Sequence, residues 1–267
     1  MNYGVRRFLA AWPWLAVMVV SVLVTLAVML PAAWIVPQFA KATSGHVNLV
    51  DPAGSLWKGS ATLMLATGGG AGGGDAGGGD GATLLPGRLE WRTAFWPLFS
   101  GRVRMEMRQT DAMPDAVFVD AAPSGSTVSP GTIAVPASLL TGLGAPFNTL
   151  NMDGNVRLTW TELRMLGHNT YGQVIVTLDD MASSVSRVKP LGSYRVVFHA
   201  EGQAGTIDLT TSRGPLLLSG QGTVSPASSA FNGVAKSAPE ARENLAGLLN
   251  LLGRHTGPDT VELTFGR

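Results

Sequence analysis

The chain has 267 residues, with 19 Lys and Arg against 18 Asp and Glu, 14% charged residues in all, and no cysteine. This near-neutral balance carries no basic stripe for nucleic acid, and the missing cysteines exclude disulfides, thiol catalysis and thiolate metal sites. With 34 glycines and 16 prolines beside many Thr, Val and Leu, the composition suits an all-β domain better than a helical one.

The first element is apolar. Between Arg7 and Lys41 there is no charged residue, and the run Trp12 to Val36 is long enough for a helix to cross a hydrocarbon core of ~30 Å at ~1.5 Å per residue. The reading is a short cytoplasmic N-terminus (1–11), a transmembrane helix (12–36) and an external domain (37–267). Arg6 and Arg7 precede the span and few charges follow it, which places the N-terminus inside; Trp12, Trp14 and Trp34 sit where interfacial rings are favoured. A cleaved signal peptide is the alternative, with Ala40 and Ala42 as its small pair. The apolar core is too long for that, and Pro31, Trp34, Pro37 and Phe39 crowd the site, so an uncleaved anchor is expected.

Short strands follow. His46–Val50 and Ser55–Thr67 read as a hairpin joined by a type I turn at Asp51-Pro-Ala-Gly54. Residues 68–81 are mostly glycine and read as a mobile loop. Their spacing resembles a dinucleotide fingerprint, but no helix follows to bind phosphate. Leu84–Thr93 is the next strand, then an apolar corner, Phe95-Trp-Pro-Leu-Phe99. Arg102, Arg104, Glu106 and Arg108 alternate with Val103, Met105 and Met107, which predicts a sheet with one wet and one covered face. The arginines are read as a solvated face rather than a partner-binding patch.

Ala116–Asp120 and Thr127–Val135 are short strands, 141–147 a loop, and Asn155–Leu166 a long strand with a bulge near Thr161, where Leu163 breaks the parity. Gly167–Thr170 is a turn and Tyr171–Leu178 returns. Tyr194–Ala200, Gly205–Thr211 and Pro215–Val224 form a meander with loops too short for anything but antiparallel pairing. A helix over 238–252 places Leu245, Leu248, Leu249 and Leu252 on one face, and Thr260–Phe265 closes the chain as a strand. The fold expected is mainly β: a transmembrane helix, then a curved antiparallel sheet with one C-terminal amphipathic helix.

The sequence shows no catalytic pattern. His46, His168, His199 and His255 have no metal-ligand spacing, no serine sits in a nucleophile elbow, and Asp179 and Asp180 are strand neighbours pointing to opposite faces. No enzyme, no cofactor and no metal site are expected.

An ordered set of motifs remains: Gly54-Ser-Leu-Trp-Lys-Gly59, Leu85-Pro-Gly-Arg-Leu-Glu-Trp-Arg92, Pro190-Leu-Gly-Ser-Tyr-Arg-Val196, Gly214-Pro-Leu-Leu-Leu-Ser-Gly-Gln-Gly222 and Leu248-Leu-Asn-Leu-Leu-Gly-Arg254. Together with the anchor, they resemble protein N of the bacterial type II secretion system over essentially the whole chain, with 68–81 as an insertion. The resemblance implies a single-pass inner-membrane protein of a Gram-negative bacterium with a periplasmic β domain. It also implies an accessory part in exporting folded proteins through an outer-membrane secretin, with no catalytic residues to carry over.

Two kinds of partner follow from this. One is another secretion component, the secretin or an inner-membrane platform protein, with Trp57, Trp91 and Trp96 as contact candidates against the simpler expectation that they fill the core. The other is lipid beyond the bilayer itself: in an AsmA-like plan, an open groove bearing Val103, Met105 and Met107 would hold acyl chains, unless the C-terminal helix fills it.

Overall fold

The computed structural model describes residues 17–18, 21, 25, 29–43, 45, 47–65, 83–143, 150–257 and 259–266. Most of the predicted anchor, with Arg6, Arg7, Trp12 and Trp14, lies outside the described residues, as do His46 and the glycine-rich stretch 68–81. Among the described residues, no helix is long and apolar enough to cross a membrane.

The described end of the apolar run keeps a helical bond, Met29 N–H to Thr25 O at 3.0 Å. At Pro31 the backbone is extended (φ −70°, ψ 148°), and a 3-10 turn, Ala32–Trp34, leads into α1 (Ile35–Ala42). Proline supplies no N–H to a helical ladder and pushes the residue before it out of the helical region, so a break here follows from the sequence. Ala32 is buried, and Ile35, Val36 and Phe39 pack against the domain core. Amphipathic α1 thus belongs to the folded domain.

Among the described residues, seventeen strands join in one antiparallel sheet. They are β1 (Val47–Gly54), β2 (Lys58–Leu65), β3 (Thr83–Leu84), β4 (Leu89–Ala94), β5 (Val103–Gln109), β6 (Val117–Ala122), β7 (Gly125–Val128), β8 (Gly131–Pro136) and β9 (Met152–Trp160). After these come β10 (Leu163–Leu166), β11 (Asn169–Ser183), β12 (Gly192–Gly202), β13 (Ala204–Arg213), β14 (Leu216–Val224) and β15 (Ser229–Ser237). The helix α2 (Arg242–Leu252) then precedes β16 (Arg254–Gly257) and β17 (Thr260–Gly266). The path is a long meander: β3 and β4 share β2, β7 pairs with β10, β8 with β9, and both β9 and β10 lie along β11. After α2 the chain returns so that β17 pairs with β15, and β16 forms the far edge. No pairing joins β1 to β16 among the described residues, and the sheet is open.

Several expected boundaries move. The first hairpin does not turn at Asp51–Gly54: Asp51 is left-handed (φ 53°) and forms a bulge within β1, and the strand runs on to Gly54 opposite Gly59. The turn is Ser55–Lys58, closed by Ser55 N–H to Lys58 O at 2.9 Å. The Pro-Gly pair that suggested a turn is absorbed as a bend in a continuing strand. The strand expected over Leu84–Thr93 is cut at Pro86-Gly87, and that over Thr127–Val135 at Ser129-Pro130. The long strand Asn155–Leu166 is divided at Thr161-Glu162, at the position where the broken parity predicted a bend. Two strands gave no alternation to read. In β15, Gly233 and Ala235 face inward, where small residues are needed, so the hydrophobic period disappears; the short polar β16 is the other.

Directly opposed residues of an antiparallel pair share a face. The register therefore carries one inner face across the sheet: Leu49 opposite Leu63, Ala61 opposite Leu89, Trp91 opposite Met107, Met105 opposite Val119 and Val119 opposite Val128. It continues through Val128–Leu163, Trp160–Val174, Val174–Phe198, Phe198–Ile207 and Leu218–Ala235. Two clusters are buried on this face. One gathers Leu49, Leu63, Leu89, Trp91 and Val117 under α1 and Leu139; the other gathers Val156, Met181, Tyr194, Leu216 and Val261 with Leu245, Leu248 and Leu249 of α2. Val135 touches both, so the two cores are continuous.

Candidate functional site

The outer face is built by the same register. Arg92 lies opposite Glu106, Glu90 opposite Arg108 and Arg104 opposite Asp120. Ion pairs close at 2.7 Å for Arg104–Asp120 and 2.6 Å for Arg108–Glu106. The Asp120 carboxylate, by accepting this hydrogen bond, raises the Arg104 pKa. The arginines of β5 are therefore interleaved with acids, a charge-matched face rather than a basic patch. Lys58, Ser60, Glu90, Arg92, Glu106 and Arg108 line a depression on it. Phe118, opposite Glu106, is 43% exposed beside these charges.

The strand ends carry a second feature. Phe95 opens a corner formed by the 3-10 turn Trp96–Ser100, which ends at left-handed Gly101 (φ 70°). Ser100 Oγ donates to Pro97 O at 2.7 Å, and Arg102 N–H donates to the same carbonyl at 3.0 Å, so the corner closes on itself. Its rings form a cluster: Trp57–Phe95 at 5.3 Å and Phe95–Phe99 at 5.4 Å between centroids, both edge-on, and Trp96–Phe99 tilted at 6.0 Å. Trp96 is 81% exposed and Phe99 76%. The corner is held to the first hairpin by Thr93, whose N–H donates to Trp57 O (2.8 Å) and whose hydroxyl donates to Leu56 O (3.0 Å).

The three candidate tryptophans thus meet different fates. Trp91 is buried, its Nε1–H bonded to Ser55 O at 3.2 Å, and it offers no surface. Trp57 is half-buried at the base of the aromatic cluster, and Trp96 is at its tip. Trp34, expected at the membrane interface, is 67% exposed in the turn before α1. Phe95 and Phe99 complete the cluster; sequence reading saw them as an apolar corner without showing that their rings face solvent.

The inner face is largely filled. Leu245 and Leu249 of α2 are 0% and 2% exposed and pack with Val156, Met181, Tyr194 and Val261, while Met105 and Met107 pack against the cluster under α1 and Leu139. Val174, Val196, Phe198 and Ile207 remain half-buried.

Asp180 and Tyr194 have structural partners. Asp180, left-handed in a bulge of β11, accepts from Arg213 Nη2 at 2.8 Å, and its N–H donates to Ser193 Oγ at 3.0 Å. Tyr194 is buried and its hydroxyl donates to Leu216 O at 3.1 Å; burial pushes the phenol pKa well up. Among the described residues, no group of three His, Asp or Glu side chains is placed to hold a metal ion.

The family motifs acquire physical reasons here. Gly54 is left-handed (φ 87°) at the mouth of the first turn. A Cβ on Gly59 would lie 2.5 Å from Trp91 Cζ2, so the two motifs Gly54–Gly59 and Leu85–Arg92 are matched halves of one packing contact. Similarly, a Cβ on Gly220 would meet Phe231 Cζ at 2.5 Å, which explains a glycine inside a central strand. The family model described as "Type II secretion system (T2SS), protein N" matches residues 45–264, from the start of β1 into β17. The chain belongs to that family. No curated protein and no solved structure matches it. As a member of the protein N family it has an accessory role in type II secretion.

Proposed function

We propose that this protein N family member is held in the inner membrane by its N-terminal apolar run, and that its β domain works in the periplasm by non-catalytic contacts with other secretion components. The observation that carries the reading is the family match over residues 45–264. The apolar run supports the anchor. Ended at Pro31, the apolar stretch Trp12 to Leu30 is still long enough that a helix of its length would span about 28 Å, close to the thickness of a hydrocarbon core. The charge-matched outer face around Phe118 supports a protein contact, since aromatic and arginine residues dominate such surfaces. The secretin and the inner-membrane platform are the candidate partners. The two buried clusters on the inner face, one closed by α2 and one by α1 and Leu139, favour protein contact over an acyl-chain groove.

The test is a photo-crosslinking residue at Phe118 or Arg92 in the full chain, expressed in a secreting cell. An adduct with a secretin or platform component is expected. Secretion that depends on the chain, without an adduct from either position, would count against this surface as the site of contact.

A further inference from the structure

We infer that the aromatic corner Phe95–Phe99 is a membrane-docking surface: Trp96 and Phe99 seat in the interfacial layer of the bilayer that the N-terminal run enters, and so fix the tilt of the β domain. This rests on the reading of that run as a membrane span.

Leu30, the last residue of the run before the break, accepts a hydrogen bond from Leu56 N–H at 2.9 Å, and Pro31 bridges to Ser55. Trp57 is the next residue along, and its ring lies 5.3 Å from Phe95, which in turn touches Phe99 at 5.4 Å. The cluster is thus tied by short contacts to the point at which the span leaves the hydrocarbon. The interfacial layer is about 5–8 Å deep on each side of a bilayer, and Trp is favoured there because its ring body is apolar and its N–H stays wet. Linked to Leu30 in this way, Trp96 and Phe99 are assigned to that layer.

The composition and exposure of the corner agree. From Ala94 to Gly101 there is no charged residue, and Arg102 follows at the rim, where a cation meets lipid phosphate. Large apolar side chains exposed by 76–81% are uncommon on a fully solvated domain and here occur as a contiguous pair. In an antiparallel meander every second connection returns to the same edge. The β10–β11 turn therefore shares this edge, and beside it Leu166 and Tyr171 are 52% and 43% exposed. The opposite edge carries α2 and the loop of Ser184, and it does not approach Leu30.

The chain has no cysteine, so a single introduced thiol gives a unique label. Trp96→Cys, Phe99→Cys and, at the opposite edge, Ser184→Cys are each labelled with an environment-sensitive fluorophore in the full chain and reconstituted into phosphatidylethanolamine/phosphatidylglycerol nanodiscs. Expected are a blue shift and at least twofold quenching by lipids spin-labelled near the headgroup at 96 and 99, with neither at 184. If the chain enters the discs but 96 and 99 remain as accessible to aqueous iodide as 184, docking fails and the anchor stands. If it does not enter the discs, both readings fall. Protection at 96 that appears only when other secretion components are added would show a protein surface instead and overturn the inference.

Discussion

The two ends of the sheet solve the same problem differently. At the C-terminal end a single leucine-rich helix, α2, closes the inner face, and Leu245, Leu248 and Leu249 are at most 3% exposed. At the N-terminal end the inner face is closed by α1, by Leu139 and by Trp91, while rings from the adjoining turns are left outside. Trp91 and Trp96 stand five residues apart in the same hairpin, one 4% and the other 81% exposed. What separates them is register: Trp91 lies opposite Gly59 inside the sheet, whereas Trp96 comes after the strand has ended and has no partner strand to cover it. Both ends bury a core, but only the N-terminal end leaves a cluster of large rings exposed among the described residues.

The largest effect should come from the helical closure. Leu249→Ala removes a fully buried side chain and is expected to lower stability by about 2–5 kcal/mol, read as a reduced denaturation midpoint in urea. A cost near zero would mean that α2 does not seal the inner face.

Gly59→Ala tests the closure at the other end. Its new Cβ must displace the Trp91 ring or the first turn, and the expected cost is about 1–3 kcal/mol. It should be accompanied by altered near-ultraviolet circular dichroism from the indole, and an unchanged spectrum would argue against the contact.

Tyr194→Phe leaves the C-terminal core filled but removes the hydrogen bond to Leu216 O, at about 0.5–1.5 kcal/mol. It also has a pH signature. Burial raises the folded phenol above an exposed tyrosine, whose pKa is ~10. The contribution of this group is complete below about pH 10 and declines above it, because the unfolded chain releases the proton first. The wild-type protein should therefore lose stability more steeply than Tyr194→Phe above pH 10, as measured by urea titration at several pH values.

The smallest effect on folding is expected at the exposed corner. Trp96→Ser should change stability by no more than about 0.5 kcal/mol, since the side chain is 81% exposed. A larger loss of stability would place Trp96 in the same class as Trp91 and remove the contrast between the two ends.

Much of the sheet was legible in the residues. The alternation in β5, the short loops of the β12–β14 meander and the leucine stripe of α2 each follow from local geometry, and all three are present. Local rules misplaced the first turn, because Asp51-Pro52 satisfies turn chemistry equally well as a bulge once β2 is available to pair beyond it. They also missed β15, whose inward Gly233 and Ala235 make sense only beneath the Phe231 ring and α2. The aromatic corner was visible as apolar sequence, but its exposure was not. A hydrophobic run between strands is compatible with core or surface, and the choice is made by where the neighbouring strands stop.

The sequence by itself determined the strand-rich composition, the cysteine-free chemistry, the uncharged N-terminal run and, through its ordered motifs, the family. The tertiary structure decided which apolar residues are spent on packing and which remain on the surface, because burial depends on partners distant in the chain. It also decided that the hairpin at Leu56 meets the end of the apolar run at Leu30, a contact that joins residues far apart in the sequence and that no local pattern encodes.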